Sequence, residues 1–99
     1  MIIEQVKETA NHIIATTTAQ ANEIMRVGKA KKADICIFMN LPAFRVMKSY
    51  AFLYGQIISE TDPISLQGYD VRLVTDEDHE VALAWVGVIT SFAKVGFEI

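Results

Sequence analysis

The apolar pattern of the chain changes period near residue 33, and this change indicates a mixed fold of helices and strands. From Ile2 to Val27, apolar residues recur at spacings of three and four, which predicts one long amphipathic helix. Gly28 is the expected stop of this helix. The segment Ala33–Met39 then contains five consecutive apolar residues, which predicts a short strand buried on both faces.

The middle of the first helix is polar on the side that should be buried. Thr16, Thr17, Thr18 and Gln20 interrupt the apolar residues there. Three β-branched threonines in succession weaken helix propensity. We therefore expect either a bend at this point or a second partner that contacts the polar stretch.

A second helix is predicted directly after the strand. Asn40 can cap the free N–H groups, and Pro42 is tolerated in a first helical turn. The pattern continues to about Ser59 with a wide apolar face. Phe52 falls among the polar residues of the opposite face, which suggests contact with another chain. Cys36, inside the preceding strand, is interpreted as a small packed hydrophobe rather than a nucleophile.

The segment Ile64–Thr75 alternates apolar and polar residues and predicts a further strand. Its apolar phase shifts by one residue across Gly68, which indicates a bulge. After an acidic stretch, Glu80–Val88 is interpreted as the return strand of a hairpin. The alternative is a helix capped by Thr75, with Val81 and Trp85 on its apolar stripe. We favour the strand and expect a short edge strand at Phe97–Ile99.

These elements predict an α+β fold in a single domain, residues 1–99. A long N-terminal helix comes first, then strand, helix, strand and strand, with the helices packed on one face of a small sheet. The length of 99 residues leaves no room for a second core, and an apolar content of 52% argues against disorder.

Charge and cysteine content exclude several classes of partner. A net charge of −3 gives no basic surface for nucleic acid. The longest apolar run, Val81–Ile89, is about half of the ~20 residues that a membrane-spanning helix needs. The single cysteine allows no internal disulfide and no cysteine-rich zinc site, so we expect a cytosol or an assembled particle and no signal peptide.

No catalytic, cofactor-binding or metal-ligating residue is predicted. The densest set of possible ligands is Asp76–Glu80, which includes His79; the other histidine is His12. A solvated charged turn is the first interpretation of this stretch. One alternative is a small metal-assisted hydrolase that uses it with Mg²⁺ or Mn²⁺. Another is an inhibitor that presents Asp70 and the same stretch to a basic protein surface.

The favoured hypothesis is a non-catalytic protein that associates with copies of itself or docks on a larger assembly. A chain this short buries only about two-thirds of its surface on folding. Because about half of its residues are apolar, we expect part of the apolar surface to stay exposed to solvent. The partner is expected to be protein, with no nucleic acid and no membrane. The predicted interface residues are Ile3, Val6, Ile13, Ile24, Phe52 and Trp85.

Residues 33–86 also resemble part of a known fold. A strand ending in Met-Asn (ADICIFMN) leads into a helix start with proline (LPAF), then a strand with a central glycine (ISLQGYDVRLV) and an apolar return strand (EVALAWV). This order is similar to the axial domain of tailed-phage major capsid proteins of the HK97-like fold. Such proteins are several times longer, so the resemblance implies a related small unit in a phage, located in the host cytoplasm or the virion, and transfers no functional residue.

Overall fold

The computed structural model describes residues 3–28, 30–56, 64–74 and 80–89. These residues form two α-helices, a turn of 3₁₀ helix and four strands. The helices are α1 (Ile3–Arg26) and α2 (Leu41–Leu53), the 3₁₀ turn is Lys32–Asp34, and the strands are β1 (Ile35–Met39), β2 (Ser65–Leu66), β3 (Tyr69–Leu73) and β4 (Ala82–Val86).

The four strands form one mixed sheet in the order β2-β3-β1-β4. β1 and β3 are parallel, and α2 lies in the connection between them. β2 pairs antiparallel with β3, and β4 pairs antiparallel with β1. Residues of both helices share one core cluster with the same face of β1. The predicted α+β class, with both helices on one face of a small sheet, is therefore confirmed.

Helix α1 follows the predicted stripe and stays helical through its three threonines. Every third or fourth residue from Val6 to Ala21 is buried. Gly28 adopts a left-handed backbone (φ 74°) and donates its N–H to the carbonyl of Met25 at 3.0 Å. Glycine takes this conformation without the steric penalty of a Cβ atom, so the predicted stop is confirmed.

Asn40 joins β1 to α2 and also ties α2 to β4. Its side-chain oxygen accepts the N–H of Ala43, which is the predicted helix cap, at 3.1 Å. The same oxygen accepts the N–H of Val81, at 3.1 Å, just before β4 begins. Asn40 is fully buried, so these two bonds stabilise backbone groups that have no access to water.

Helix α2 ends at Leu53, so the predicted end near Ser59 is wrong. Gly55 has φ 69° and donates to the carbonyl of Phe52, while Gln56 donates to the carbonyl of Ala51. These two bonds form a Schellman motif, which closes a helix and turns the chain away from its axis. The periodic side chains around Gly55 conceal this stop in the sequence.

The predicted bulge at Gly68 is instead the turn of a hairpin. Gln67 (φ 53°) and Gly68 (φ 84°) are the two loop residues, and Leu66 pairs with Tyr69 across them. Two-residue hairpin loops require positive φ at one or both loop positions, which glycine readily adopts. A bulge and a tight turn both shift the apolar phase, so the alternation alone did not separate them.

The structure confirms the predicted strand after residue 80 and not the alternative helix. However, β4 pairs with a different strand from the one that was predicted. It pairs with β1, where Leu83 lies opposite Phe38, and not with β3. β1 therefore lies between β3 and β4, and both of its backbone edges are paired. The acidic residues 76–79 and the predicted edge strand 97–99 lie outside the described residues.

The two faces of β1 contact different parts of the core. Ile37 and the β1 residues two positions before and after it face the helices. Phe38 faces the opposite side with Leu83, Val74 and Val81. The prediction of a strand buried on both faces is therefore confirmed, and the helices are held against one side of it.

Candidate functional site

Three of the predicted interface residues lie on the surface of the chain. Ile3 and Phe52 are each 57% exposed, and Trp85 is 39% exposed. Ile3 begins α1 and Phe52 belongs to the last turn of α2. Trp85 lies opposite Cys36 in the register of β4 with β1, on the face of the sheet away from the helices. The structure therefore places these three residues on two different surfaces.

The other three predicted interface residues belong to the interior or its margin. Ile13 is fully buried and Val6 is buried. Ile24 is partly buried and packs against the same core cluster. Because α1 lies on both α2 and β4, its apolar stripe is covered within this chain. The placement of Val6 and Ile13 on an outer surface is corrected accordingly.

A set of exposed apolar residues lies where α2 ends and α1 begins. Phe52, Leu53 and Tyr54 are consecutive, and all three are exposed. The ammonium of Lys7 lies 5.8 Å from the ring centroid of Tyr54, so the first turns of α1 are close to this end of α2. Ile3 precedes Lys7 by about one helical turn on the same side of α1. We call Ile3, Phe52, Leu53 and Tyr54 the helix-end surface.

The end of α2 fixes the geometry of the helix-end surface. Tyr54 is the last residue before the left-handed Gly55, and its ring stacks in a tilted arrangement on Tyr50, with centroids 4.7 Å apart. A helix that continued to Ser59, as the sequence predicts, would include Tyr54 in its wide apolar face. Gly55 was the available signal, since a helix that stops there leaves Tyr54 at its rim.

A shallow groove of about 420 Å³ lies beside Tyr50. Ile14 of α1, Met47 of α2 and Leu66 of β2 contribute apolar walls, and Gln67 contributes a polar one. The groove connects α1, α2 and the β2–β3 hairpin. Its lining residues carry no charged side chain, so it offers mainly surface for packing.

Cys36 has the properties of a packed thiol. Its sulfur contacts the carbonyl oxygen of Asp70 at 3.3 Å. Burial raises the pKa of the Cys36 thiol, and the nearby Arg72 guanidinium opposes this effect only in part. A thiol with a raised pKa carries less of the thiolate that reacts, which agrees with the interpretation of Cys36 as a small hydrophobe.

The described ranges contain no group of three or more His, Cys, Asp or Glu side chains that could hold a metal ion. Of the acidic stretch, only Glu80 lies inside these ranges, so the hydrolase and inhibitor hypotheses stay predictions. Asp70 is exposed on β3, and His12 is exposed on α1. None of the helices in the described ranges is both long and apolar enough to cross a membrane.

Comparison with protein-family models, with curated proteins and with solved structures gives no match. The candidate site therefore depends on the contacts and exposure of this chain alone.

Proposed function

We propose that this protein is a non-catalytic protein that associates with copies of itself or docks on a larger protein assembly. The observation that carries the proposal is the helix-end surface, where four large apolar residues at the end of α2 and the start of α1 are exposed to solvent. Two of them, Ile3 and Phe52, are also interface residues that the sequence predicts.

The size and type of these side chains favour a protein partner. Full burial of a side chain such as Phe contributes about 1.5–3 kcal/mol through the hydrophobic effect. Phe and Tyr are enriched at protein interfaces, and tyrosine in particular is frequent among the residues that dominate binding energy. Four exposed residues at this end of the two helices supply apolar area for such a contact, and the Lys7 ammonium beside Tyr54 supplies part of a polar rim.

The rigidity of the surface also supports this function. Two backbone hydrogen bonds, from Gly55 and Gln56, fix the end of α2, and the Tyr50–Tyr54 ring contact fixes one aromatic side chain. A surface that is already ordered loses less conformational entropy when a partner binds.

The phage or virion context is part of the proposal. The resemblance of residues 33–86 to the axial domain of tailed-phage capsid proteins supports it, since that domain belongs to proteins that assemble into shells. A host-cytoplasmic or virion location follows from the same resemblance.

The experiment is a measurement of molar mass by light scattering after size exclusion, over a range of micromolar concentrations. We expect the wild-type chain to exceed the monomer mass of 11.0 kDa, and Phe52→Gln to shift it towards that value. Leu73→Gln is the matched control, because Leu73 is similarly exposed but lies at the far end of β3. A wild-type chain that stays monomeric would contradict self-association and leave only docking on another protein, and an equal effect of both variants would contradict the role of the helix-end surface.

A further inference from the structure

The outward side of helix α2 carries two basic residues between two apolar ones. Leu41, Arg45, Lys48 and Phe52 recur at spacings of four, three and four, so they share one side of the helix. Leu41 is 46% exposed, Phe52 is largely exposed, and Arg45 is exposed as well. The buried residues of α2 lie on the opposite side. We call these four outward residues the α2 ridge.

The charge of α2 is opposite to that of the whole chain. α2 contains Arg45 and Lys48 and no acidic residue, whereas the chain has 12 acidic and 9 basic residues. The ammonium of Lys48 lies 5.4 Å from the ring centroid of Phe44, which holds this charge at the helix surface. Arg45 forms no ion pair with any other residue that the structure describes. The α2 ridge therefore presents positive charge to a partner.

The first turns of α1 carry the complementary charge. Glu4 and Glu8 are exposed and lie one turn apart on the side of α1 away from its buried residues. Within the described ranges, neither carboxylate forms an ion pair. The two acidic positions are about 6 Å apart along the helix axis, and Arg45 and Lys48 are about 4.5 Å apart along theirs. The two pairs of charges match in sign and nearly match in spacing.

The match continues on both sides of the charges. Ile3, which is exposed, lies directly before Glu4, and residues 9–22 contain no Asp, Glu, Lys or Arg. When the charge pairs are aligned, one apolar end of the α2 ridge lies beside the start of α1. The other end lies about 6 Å beyond the charges, against the uncharged stretch, in both possible directions of the helices. The order of charged and apolar surface therefore agrees along both helices.

We propose that the α2 ridge binds the first turns of α1 in a second copy of this chain. This inference rests on the proposed function, because Phe52 belongs both to the α2 ridge and to the helix-end surface, and it names the partner. Since each copy carries both surfaces, the pairing is reciprocal in a dimer or continues from copy to copy. Opposite charges fix the register of such a contact and exclude like-charged surfaces.

The first arm of the test reverses one set of charges at a time. One double variant is Arg45→Glu with Lys48→Glu, and the other is Glu4→Lys with Glu8→Lys. Each brings like charges together in the proposed contact, so each should associate at least about tenfold more weakly than wild type. Molar mass is measured by light scattering over a range of concentrations, with circular dichroism to show that both variants are folded.

A matched control separates the contact from the effect of net charge. Lys31→Glu with Lys32→Glu makes the same change in net charge as reversal of the basic pair, but at exposed positions outside both helices. This variant should associate like wild type. An equal loss in the control and in the α2 variant would overturn the proposal.

The decisive arm mixes the two double variants. The acidic α2 ridge of one variant then faces the basic α1 of the other, and the second pair of surfaces is that of the wild type. An equimolar mixture should therefore recover the association that neither variant shows alone. A mixture that does not recover, while the wild-type chain associates, would overturn the proposal.

The same measurements distinguish this inference from the proposed function. If Phe52→Gln weakens association but the charge variants associate like wild type, the helix-end surface is supported and the pairing of α2 with α1 is overturned. A wild-type chain that stays monomeric would overturn this inference too, and the occupant of the α2 ridge would then be an acidic protein of different sequence.

Discussion

Ile13 in α1 and Phe52 in α2 are both large apolar residues on helices that pack together, yet Ile13 is fully buried and Phe52 is largely exposed. Ile13 lies in the middle of a long helix that is covered by a second helix and a strand. Phe52 lies in the last turn of a helix that stops two residues before Gly55. In this chain, the apolar stripe of α1 is buried, and exposed apolar surface lies instead in the last turn of α2.

The largest expected difference between these two positions is in stability. Ile13→Ala should lower the free energy of unfolding by about 2–5 kcal/mol, because it opens a cavity between α1 and the sheet. Phe52→Ala should change it by about 0.5 kcal/mol or less, as expected for an exposed position. Urea denaturation of both variants measures this difference.

The concentration must be low enough for the wild type to be monomeric, since association adds to apparent stability by mass action. Equal losses at both positions would mean that Phe52 is buried in the monomer, which would contradict the helix-end surface as a free surface.

A smaller effect is expected where α2 begins, at the other end from Phe52. Asn40→Ala leaves the N–H groups of Ala43 and Val81 without their acceptor in a buried site, which should cost about 2–3 kcal/mol. Asn40→Ser keeps a helix cap but has a shorter side chain, so it should retain the bond to Ala43 and lose the bond to Val81.

Thermal unfolding followed by circular dichroism tests this order. The serine variant should fall between wild type and the alanine variant. If serine and alanine are equally destabilising, the bond to Val81 dominates and the cap contributes little.

The two ends of α2 also show how far the sequence could predict this fold. The start was predictable because Asn-x-Pro is a local signal whose side chain and backbone act within three residues. The end was not, because Gly55 lies in an apolar pattern that continues to Ile58 and therefore conceals the stop. Gly28 was recognised as a stop because the apolar period ends with it.

Sheet order was beyond the reach of local signals. The sequence predicted that both faces of β1 are buried. Nothing in the pattern of β4, however, indicated pairing with β1 in preference to β3. The candidate site shows the same limit. Phe52 was identified from its place on a polar helix face, whereas the burial of Val6 and Ile13 depends on the packing of α1 across β4 and α2, which only the tertiary structure reveals.

The smallest expected effect concerns the glycine that ends α2 and so sets the helix-end surface. Gly55→Ala meets no atom within 4 Å, so its cost comes only from the left-handed backbone at φ 69°. We expect a loss of about 1 kcal/mol. Gly28→Ala, at φ 74° with equally open space, is the matched control and should lose the same amount.

The two glycine variants should differ in association and not in stability. If Gly55→Ala relaxes its strain by changing the turn, Tyr54 and its neighbours move, and self-association should weaken, while Gly28→Ala leaves it unchanged. Unfolding measured beside molar mass separates the two effects. Equal association in both variants would show that the Schellman turn does not position the surface, and that the side chains of Phe52 and Leu53 alone determine binding.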